Sequence, residues 1–342
     1  MLTNDFDYFL PEELIAQTPL QDRSSSRLMV LNKITGEIEE TVFSSITSYL
    51  PKDSVLVINN TKVVPARILG VKEKTGARIE LLLLKNLGND YYECLAKPQR
   101  RLHTGDIVSF KDGILKAEIT ELKDEGIVNA RFIYDGIFYE ILDKVGEMPL
   151  PPYIHKKLEE KDRYNTVYSK MEGSSAAPTA GLHFTKELLD EIKKEGIEVL
   201  EVTLTIGLGT FRPVKEDEIE NHIMHSELYE IKDEVASKLN QAKKEGKKIV
   251  AVGTTSLRTL EANFSKYGNF KATKEETDIF IYPGYKFKAI DELITNFHLP
   301  KSTLIMLVSA LAGRENILNA YNTAVKDKFR FFSFGDAMYI RG

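Results

Sequence analysis

Short runs in which apolar and polar residues alternate fill the middle of the chain, from position 63 to position 147. Alternation with a period of two is typical of strands that bury one face. Turn-forming pairs such as Thr75-Gly76 and Asp112-Gly113 separate the runs. The pattern predicts strands at 66–73, 78–85, 91–96, 106–110, 115–122 and 127–134. Closely spaced strands without long helices between them predict a small β-barrel.

On both sides of this segment, strand patterns combine with helical ones. Strands are predicted at 27–31, 54–58, 198–206 and 248–252, and helices at 185–195, 233–245, 302–312 and 314–326. Strands that alternate with helices are typical of α/β sheets. The sequence therefore predicts a mixed α/β main domain, residues 1–62 and 148–342, into which a small β-barrel domain, residues 63–147, is inserted.

A stretch of small residues, Gly173-Ser-Ser-Ala-Ala-Pro-Thr-Ala-Gly-Leu-His-Phe184, leads directly into the helix at 185–195. Small residues let the backbone approach a ligand, and a loop that opens a helix can present N–H groups to an anion or a nucleotide. Thr179 and Gly181 are the candidate ligand contacts here, and His183 is the reactive side chain. A packed turn explains the same composition, so both interpretations remain open.

Two further glycine turns follow predicted strands, where the ligand clefts of α/β folds usually lie. The hydroxyl-rich turn from Val252 to Arg258 and the turn from Ile206 to Pro213 could both admit a polar ligand to the backbone. A capped helix and a simple strand-exit turn are the structural alternatives. The candidate substrate-binding residues are Gly253, Thr254, Thr255 and Arg258 in the first turn and Gly207, Gly209, Thr210 and Phe211 in the second.

Histidines and one carboxylate supply candidate acids and bases. The spacing of His222 and His225 would allow a metal site, but no third ligand has distinctive spacing, so proton transfer or hydrogen bonding to a substrate is favoured. Asn296 and His298 form a polar cluster directly before a predicted buried helix. Asp336 is a carboxylate in a similarly aromatic segment. Together with the glycine turns, these residues predict one composite cleft.

Composition narrows the function classes. The chain of 342 residues is 42% hydrophobic and 28% charged, with a net charge of −5, which does not indicate general nucleic-acid binding. Its single cysteine, Cys94, excludes an internal disulfide and a multi-thiolate zinc site. The N-terminus has no secretory pattern, and the most apolar run, 304–312, is too short to span a bilayer, so we expect a cytoplasmic protein without a membrane segment.

Together these stretches resemble the S-adenosylmethionine:tRNA ribosyltransferase-isomerase family of queuosine biosynthesis. The resemblance covers nearly the whole chain. Its motifs include Asp5-Phe-Asp-Tyr8, Asp22-Arg23, Asn60-Thr-Lys-Val-Val-Pro-Ala-Arg67, Arg163-Tyr-Asn-Thr-Val-Tyr168, Ala176-Ala-Pro-Thr-Ala-Gly-Leu-His-Phe184, the His222/His225 pair, Val252-Gly-Thr-Thr255, Thr295-Asn-Phe-His298 and Phe332-Ser-Phe-Gly-Asp-Ala-Met338.

The resemblance implies a monomeric, metal-independent enzyme that uses S-adenosyl-L-methionine as co-substrate. Its ribosyl part moves onto 7-aminomethyl-7-deazaguanine at the wobble position of a tRNA with a GUN anticodon, giving epoxyqueuosine, adenine and methionine. His183 or His298 would act as base, with His222 or His225 in proton transfer. Asp336 and Arg258 would orient the ribose or the methionine carboxylate. Because the tRNA must reach the cleft, the basic residues Lys97, Arg100 and Arg101 become candidate phosphate contacts.

Three positions depart from the family pattern: Asn60, Ser175 and Thr205 replace a usual aspartate, valine and histidine. The last of these matters most, because no role of that histidine can be carried over. Two rival functions remain open: a non-catalytic tRNA-binding protein with a vestigial cleft, and a methyltransferase that uses the same co-substrate. The methyltransferase ranks lower, since the chain lacks the early strand and G-x-G loop that such enzymes usually show.

Overall fold

The computed structural model describes residues 1–207, 214 and 216–342. The chain forms two compact units. The first contains Met1–Thr61, Pro152–Lys170 and Pro178–Gly342, and the second Lys62–Pro151 and Met171–Ala177. The second unit is larger than the predicted insertion, 63–147, because it extends to Lys62 and Pro151 and because Met171–Ala177 joins it. Lys62 pairs with Glu172 at 3.1 Å, and Ser175 Oγ lies 3.5 Å from the carbonyl oxygen of Leu83.

The strands are β1 (Arg27–Asn32), β2 (Ile38–Val42), β3 (Ser54–Asn59), β4 (Thr61–Val63), β5 (Arg67–Lys72), β6 (Arg78–Gly88), β7 (Tyr91–Lys97), β8 (Ile107–Phe110), β9 (Leu115–Leu122), β10 (Ile127–Tyr134), β11 (Gly146–Glu147), β12 (Met171–Ser174), β13 (Glu198–Leu204), β14 (Glu227–Ile231), β15 (Lys248–Val252), β16 (Thr273–Thr277), β17 (Glu292–Asn296) and β18 (Ala337–Arg341). The α-helices are α1 (Phe138–Val145), α2 (Lys186–Lys194), α3 (Asp233–Lys244), α4 (Gly253–Tyr267), α5 (Thr303–Ala312) and α6 (Arg314–Lys326).

A mixed sheet forms the centre of the first unit, in the strand order β16-β14-β13-β3-β15-β17-β18-β1-β2. β13, β3, β15 and β17 are parallel to one another, whereas β17 and β18 are antiparallel. Every residue of β3 is buried, as expected for a central strand with both faces covered. Leu56 and Ile58 of this strand share a buried cluster with Leu188 and Ile192 of α2.

The helices of this unit begin and end where local chemistry favours it. Thr185 Oγ1 accepts a hydrogen bond from the backbone N–H of Leu188 and caps α2, while Ser302 Oγ caps α5 in the same way. α4 contacts β3, β13, β15 and β17. It begins directly after β15, so its first turn lies at the carboxyl end of the parallel strands. No helix in the described part of the chain is long and apolar enough to cross a membrane.

A closed β-barrel forms the second unit. Its strands follow the order β5-β6-β7-β10-β9-β8, and β8 pairs back with β5. Closure brings Gly70 opposite Phe110, where an added Cβ would lie 2.6 Å from the carbonyl oxygen of Ser109. The alternating strand patterns place Leu81, Cys94 and other inward residues in one buried core. The predicted fold class, a mixed α/β domain with a small β-barrel, is confirmed.

Candidate active site

The small-residue stretch contains a short 3-10 helix, Thr179–His183, directly before α2. A Cβ on Gly181 would lie 2.0 Å from Tyr168 Oη and 2.8 Å from Thr166 Cγ2. Glycine is therefore needed at position 181 because two side chains pack against it. For this position the structure favours the packed-turn interpretation, while Thr179 remains half-buried.

His183 is buried and hydrogen-bonded at both ring nitrogens. Nδ1 lies 2.8 Å from Ser26 Oγ, and Nε2 lies 3.2 Å from Asn296 Nδ2. That amide nitrogen also donates to the carbonyl oxygen of Phe332, which fixes its orientation. Nε2 of His183 is therefore the acceptor, and the ring proton is on Nδ1. Burial, and then the charges of two nearby arginines, lower the pKa of His183 to about 3, so the ring is neutral at pH 7.

His298 is also buried, in a separate set of contacts. Its Nε2 lies 2.8 Å from Thr295 Oγ1. Its backbone N–H donates to Tyr321 Oη, and its carbonyl oxygen accepts from Tyr8 Oη at 2.5 Å. Burial lowers the pKa of His298 to about 3. These hydrogen bonds fix the position of His298 in the segment that precedes α5.

Beside His183 lies a cleft of about 300 Å³, whose other lining residues include Arg23, Ser26, Arg163 and Gly335. The predicted carboxylate Asp336 follows Gly335 in sequence, and its oxygens accept the backbone N–H groups of Arg27 and Arg330 at 3.0 and 2.7 Å. Burial raises the pKa of Asp336. The carboxyl group of Asp336 therefore links the backbone at Arg27 to the backbone at Arg330.

A larger cleft, of about 540 Å³, contains Arg258. Arg258 is buried in α4, and its Nη1 bonds to Glu227 Oε2. Glu227 Oε1 also accepts the N–H of Gly207, at 3.2 Å. The Nε and Nη2 atoms of Arg258 are buried and have no hydrogen-bond partner among the described residues. Two charged N–H donors are thus left for a ligand.

His222 and His225 line the same cleft, together with apolar side chains such as Phe280 and Leu304. The Nδ1 atom of His222 lies 3.0 Å from Glu216 Oε2. A carboxylate can only accept, so Nδ1 of His222 donates this hydrogen bond and Nε2 is the other nitrogen of the ring. His225 is exposed. Among the described residues, no group of three His, Cys, Asp or Glu side chains is arranged to hold a metal ion.

The predicted hydroxyl turn forms the first turn of α4. Gly253 has a φ of 84°, a conformation that favours glycine. No side chain caps this helix, and Thr255 Oγ1 and Ser256 Oγ are buried without a hydrogen-bond partner in the described part of the chain. The capping alternative is therefore not what the structure shows. Thr254 and Thr255 are buried beside Gly253.

The second predicted turn is only partly described. Gly207 lines the Arg258 cleft, whereas Gly209, Thr210 and Phe211 lie outside the described residues. Thr205, directly after β13, donates its backbone N–H to the carbonyl oxygen of Leu228 at 2.9 Å.

The predicted tRNA contacts lie together on the barrel. Lys97 ends β7, and a short 3-10 helix, Gln99–Arg101, follows it. Lys97, Arg100 and Arg101 are all exposed. None of the ion pairs formed by the described residues includes them, although the carbonyl oxygen of Arg101 accepts a bond from Lys72. Their charges are available to an anionic partner.

The predicted residues thus fall into two groups within the first unit. Gly207, His222, His225 and Arg258 line one cleft, while His183 lines another and bonds to Asn296. Sequence reasoning missed Glu227, Glu216 and the two cleft arginines as site residues. Glu227 lies two residues after His225, so the histidine pair could have drawn attention to it. Arg23 and Arg163 belong to the family motifs Asp22-Arg23 and Arg163–Tyr168. No sequence signal marked Glu216.

Proteins similar to this chain over nearly its whole length are known. The chain matches the family model described as "Queuosine biosynthesis protein" over residues 3–340. It is 58% identical to the S-adenosylmethionine:tRNA ribosyltransferase-isomerase of Clostridioides difficile (strain 630) over 341 residues, which cover 100% of both chains. The enzyme of that name from Thermoanaerobacter sp. (strain X514) is 58% identical over 340 residues, 99% of this chain and 100% of the relative. A crystal structure of S-adenosylmethionine tRNA ribosyltransferase from Thermotoga maritima is 37% identical, with a TM-score of 0.57, covering 98% of this chain and 99% of the other.

Proposed function

Because the chain belongs to the queuosine biosynthesis protein family, we propose that it is an S-adenosylmethionine:tRNA ribosyltransferase-isomerase. It transfers the ribosyl part of S-adenosylmethionine to the amine of 7-aminomethyl-7-deazaguanine at the tRNA wobble position. The products are epoxyqueuosine in the tRNA, free adenine and methionine. We further propose that the tRNA has a GUN anticodon, and that the enzyme acts as a monomer in the cytoplasm, where its RNA substrate is found.

The structural observation that carries the proposal is the Arg258 cleft. It brings a buried arginine, two histidines and apolar side chains to one concave surface, as is usual for small-molecule sites. The unpartnered Nε and Nη2 atoms of Arg258 match the two oxygens of a carboxylate, such as that of the methionine part of S-adenosylmethionine. Phe280 offers an aromatic face to the purine, and the apolar wall around it suits the rest of the adenine ring.

His222 is the base that this environment supports best. The positive sulfur of S-adenosylmethionine acidifies the neighbouring ribose C–H, and a neutral imidazole with a free lone pair can take that proton. Glu216 at Nδ1 keeps the lone pair of His222 on Nε2 and stabilises the imidazolium that forms. In His183 the Nε2 lone pair already accepts a bond from Asn296, and its pKa of about 3 makes it a weak base.

The remaining steps need a proton donor for the departing adenine and an uncharged incoming amine. His225 lines the same cleft and can return a proton to an adenine nitrogen. Desolvation favours the neutral form of an amine, so the apolar wall near Leu304 supports attack by the aminomethyl group. We propose that these side chains suffice without a metal. Full turnover after dialysis against a chelator is the expected result.

The test is an incubation of the purified protein with S-adenosylmethionine and tRNA that carries the aminomethyl-deazaguanine. We expect free adenine and, after nuclease digestion, epoxyqueuosine in equal amounts. Binding of the tRNA without adenine release would indicate the non-catalytic alternative. Formation of S-adenosylhomocysteine would indicate a methyltransferase and overturn the proposal. tRNA with an unmodified wobble guanine is the matched control and should release no adenine.

A further inference from the structure

Two arginines line the cleft beside His183 and a third lies near that histidine, and the proposed proton transfers use none of them. Arg23 and Arg163 line this cleft of about 300 Å³. Arg330 lies close enough for its positive charge, like that of Arg23, to lower the pKa of His183. They come from three separate parts of the sequence, so folding brings their charges together.

All three guanidinium groups bond to backbone carbonyl oxygens. Arg23 donates to the carbonyls of Leu182 and Asp162, at 3.2 and 3.3 Å. Arg163 donates to those of Gln21, at 3.0 Å, and Leu20, and Arg330 to that of Thr18. A carbonyl oxygen satisfies an N–H group but does not neutralise the cation.

No carboxylate of the described residues forms a direct ion pair with this cluster. Five other arginines of the described residues form ion pairs, as Arg27 does with Glu40, but none of these three does. The nearby Asp336 is engaged by two backbone N–H groups. Arg163 Nε and Arg330 Nη1 are buried and have no hydrogen-bond partner in the described part of the chain.

A purely structural role explains only part of this arrangement. Arg163 and Arg330 hold the segment from Thr18 to Gln21, and neutral donors would do so without mutual repulsion. Burial, and then the charge of Arg163, lower the pKa of Arg23, so the cluster has an electrostatic cost in the ligand-free protein. An anion bound in the cleft would remove that cost and satisfy the free N–H groups.

We propose that this cleft binds a phosphodiester group of the RNA substrate through Arg23 and Arg163, with Arg330 adding to the positive field. The inference rests on the proposed function, because it takes the RNA from there. A phosphodiester fits better than the carboxylate of S-adenosylmethionine, since that carboxylate already has the two free N–H donors of Arg258 in the other cleft. Planar, forked guanidinium groups suit phosphate oxygens.

The experiment measures binding of an unmodified anticodon stem–loop transcript as a function of salt, so it does not require turnover. Arg23→Gln and Arg163→Gln are compared with the wild type and with Arg314→Gln, whose arginine pairs with Asp5 at 3.7 Å. We expect each cleft variant to bind the RNA about tenfold more weakly at low salt. The slope of log Kd against log salt should become shallower by about 0.7–0.9 per lost contact. Arg314→Gln should keep the wild-type slope.

A second measurement keeps the inference testable if a variant unfolds. Single phosphates of the stem–loop are replaced by uncharged methylphosphonates, and binding to the wild-type protein is measured. Replacement at one position should weaken binding about tenfold, and the same replacement should have little effect on binding to the Arg163→Gln variant.

Unchanged salt slopes together with the absence of any sensitive phosphate would overturn the inference. Weaker binding of S-adenosylmethionine with unchanged RNA binding would assign the cleft to the carboxylate instead. Failure of the proposed function would appear separately, as absent adenine release with RNA binding intact.

Discussion

The buried ring of His298 predicts that the protein loses stability in mild acid. Burial lowers the pKa of this histidine to about 3 in the folded protein, whereas an exposed histidine in the unfolded chain titrates at about 6.5. Between these values the unfolded chain binds a proton that the folded protein does not. The free energy of unfolding must therefore fall as the pH is lowered through 6.5 and continue to fall towards 3.

The magnitude follows from the width of that pH window. Each pH unit inside it costs about 1.4 kcal/mol per histidine. The interval from pH 6.5 to pH 5 then costs about 2 kcal/mol for His298. His183, whose pKa is also lowered to about 3, contributes a further loss of about 2 kcal/mol. Together they remove a large part of the total stability of a typical protein, about 5–15 kcal/mol.

Urea unfolding at pH 7, 6 and 5, followed by far-UV circular dichroism, isolates the contribution of one ring. His298→Gln starts from a lower stability, but it should lose about 2 kcal/mol less than the wild type between pH 7 and pH 5, because all other titrating groups remain. His155→Gln is the matched control, since His155 is exposed, and it should keep the wild-type pH dependence. If the wild type and His298→Gln lost the same free energy of unfolding between pH 7 and pH 5, the ring of His298 would not be buried in its neutral form.

Three further predictions concern the proposed reaction. Arg258→Lys keeps a cation beside Glu227 but loses the guanidinium fork, so the Kd for S-adenosylmethionine should rise about tenfold or more in calorimetry while the protein stays folded. Glu216→Gln removes the carboxylate that orients His222, and kcat for adenine release should fall about 10²-fold with tRNA binding unchanged. Replacing Arg100 and Arg101 by Gln should weaken tRNA binding and make its salt dependence shallower by about 0.7–0.9 per phosphate contact.

Exposed residues of the same type supply the controls for these variants. Arg314→Lys should not change the affinity for S-adenosylmethionine, and Glu218→Gln, two residues from Glu216, should keep the wild-type kcat. Lys244→Gln, on the surface of α3, should keep the salt dependence of tRNA binding. Wild-type affinity in folded Arg258→Lys would remove that arginine from the carboxylate site. A normal kcat in Glu216→Gln would exclude a carboxylate-supported base.

The fold was predictable because its elements are specified by local patterns. Alternating residues and glycine turns define the barrel strands, and Thr185 with the apolar stripe Leu188, Leu189 and Ile192 defines α2. The membership of Met171–Ala177 in the barrel unit was not predictable, because it depends on pairings with distant residues such as the ion pair with Lys62. Such contacts leave no periodic trace in the sequence.

The glycines of the site were harder to interpret than its elements. A glycine that admits a ligand and a glycine that admits a neighbouring side chain look the same in a sequence. At Gly181 the neighbour is Tyr168, thirteen positions earlier in the chain, whereas Gly207 lies in a cleft with no heavy atom near its missing Cβ among the described residues. Only the tertiary contacts separate these two cases.

The histidines show why chemical roles could not be assigned from residue types. His183 and His298 stand in motif-like segments, yet burial lowers the pKa of both to about 3. His222 also stands in a family motif, but it has a carboxylate at one nitrogen and a cleft around it. The part of the shift at His183 that comes from Arg330 and Arg23 would diminish once an anion neutralised them, so RNA binding in that cleft would make the ring more basic. The pKa of His183 is thereby coupled to the occupancy of the arginine cleft, whereas the proposed base, His222, lines the other cleft beside Glu216.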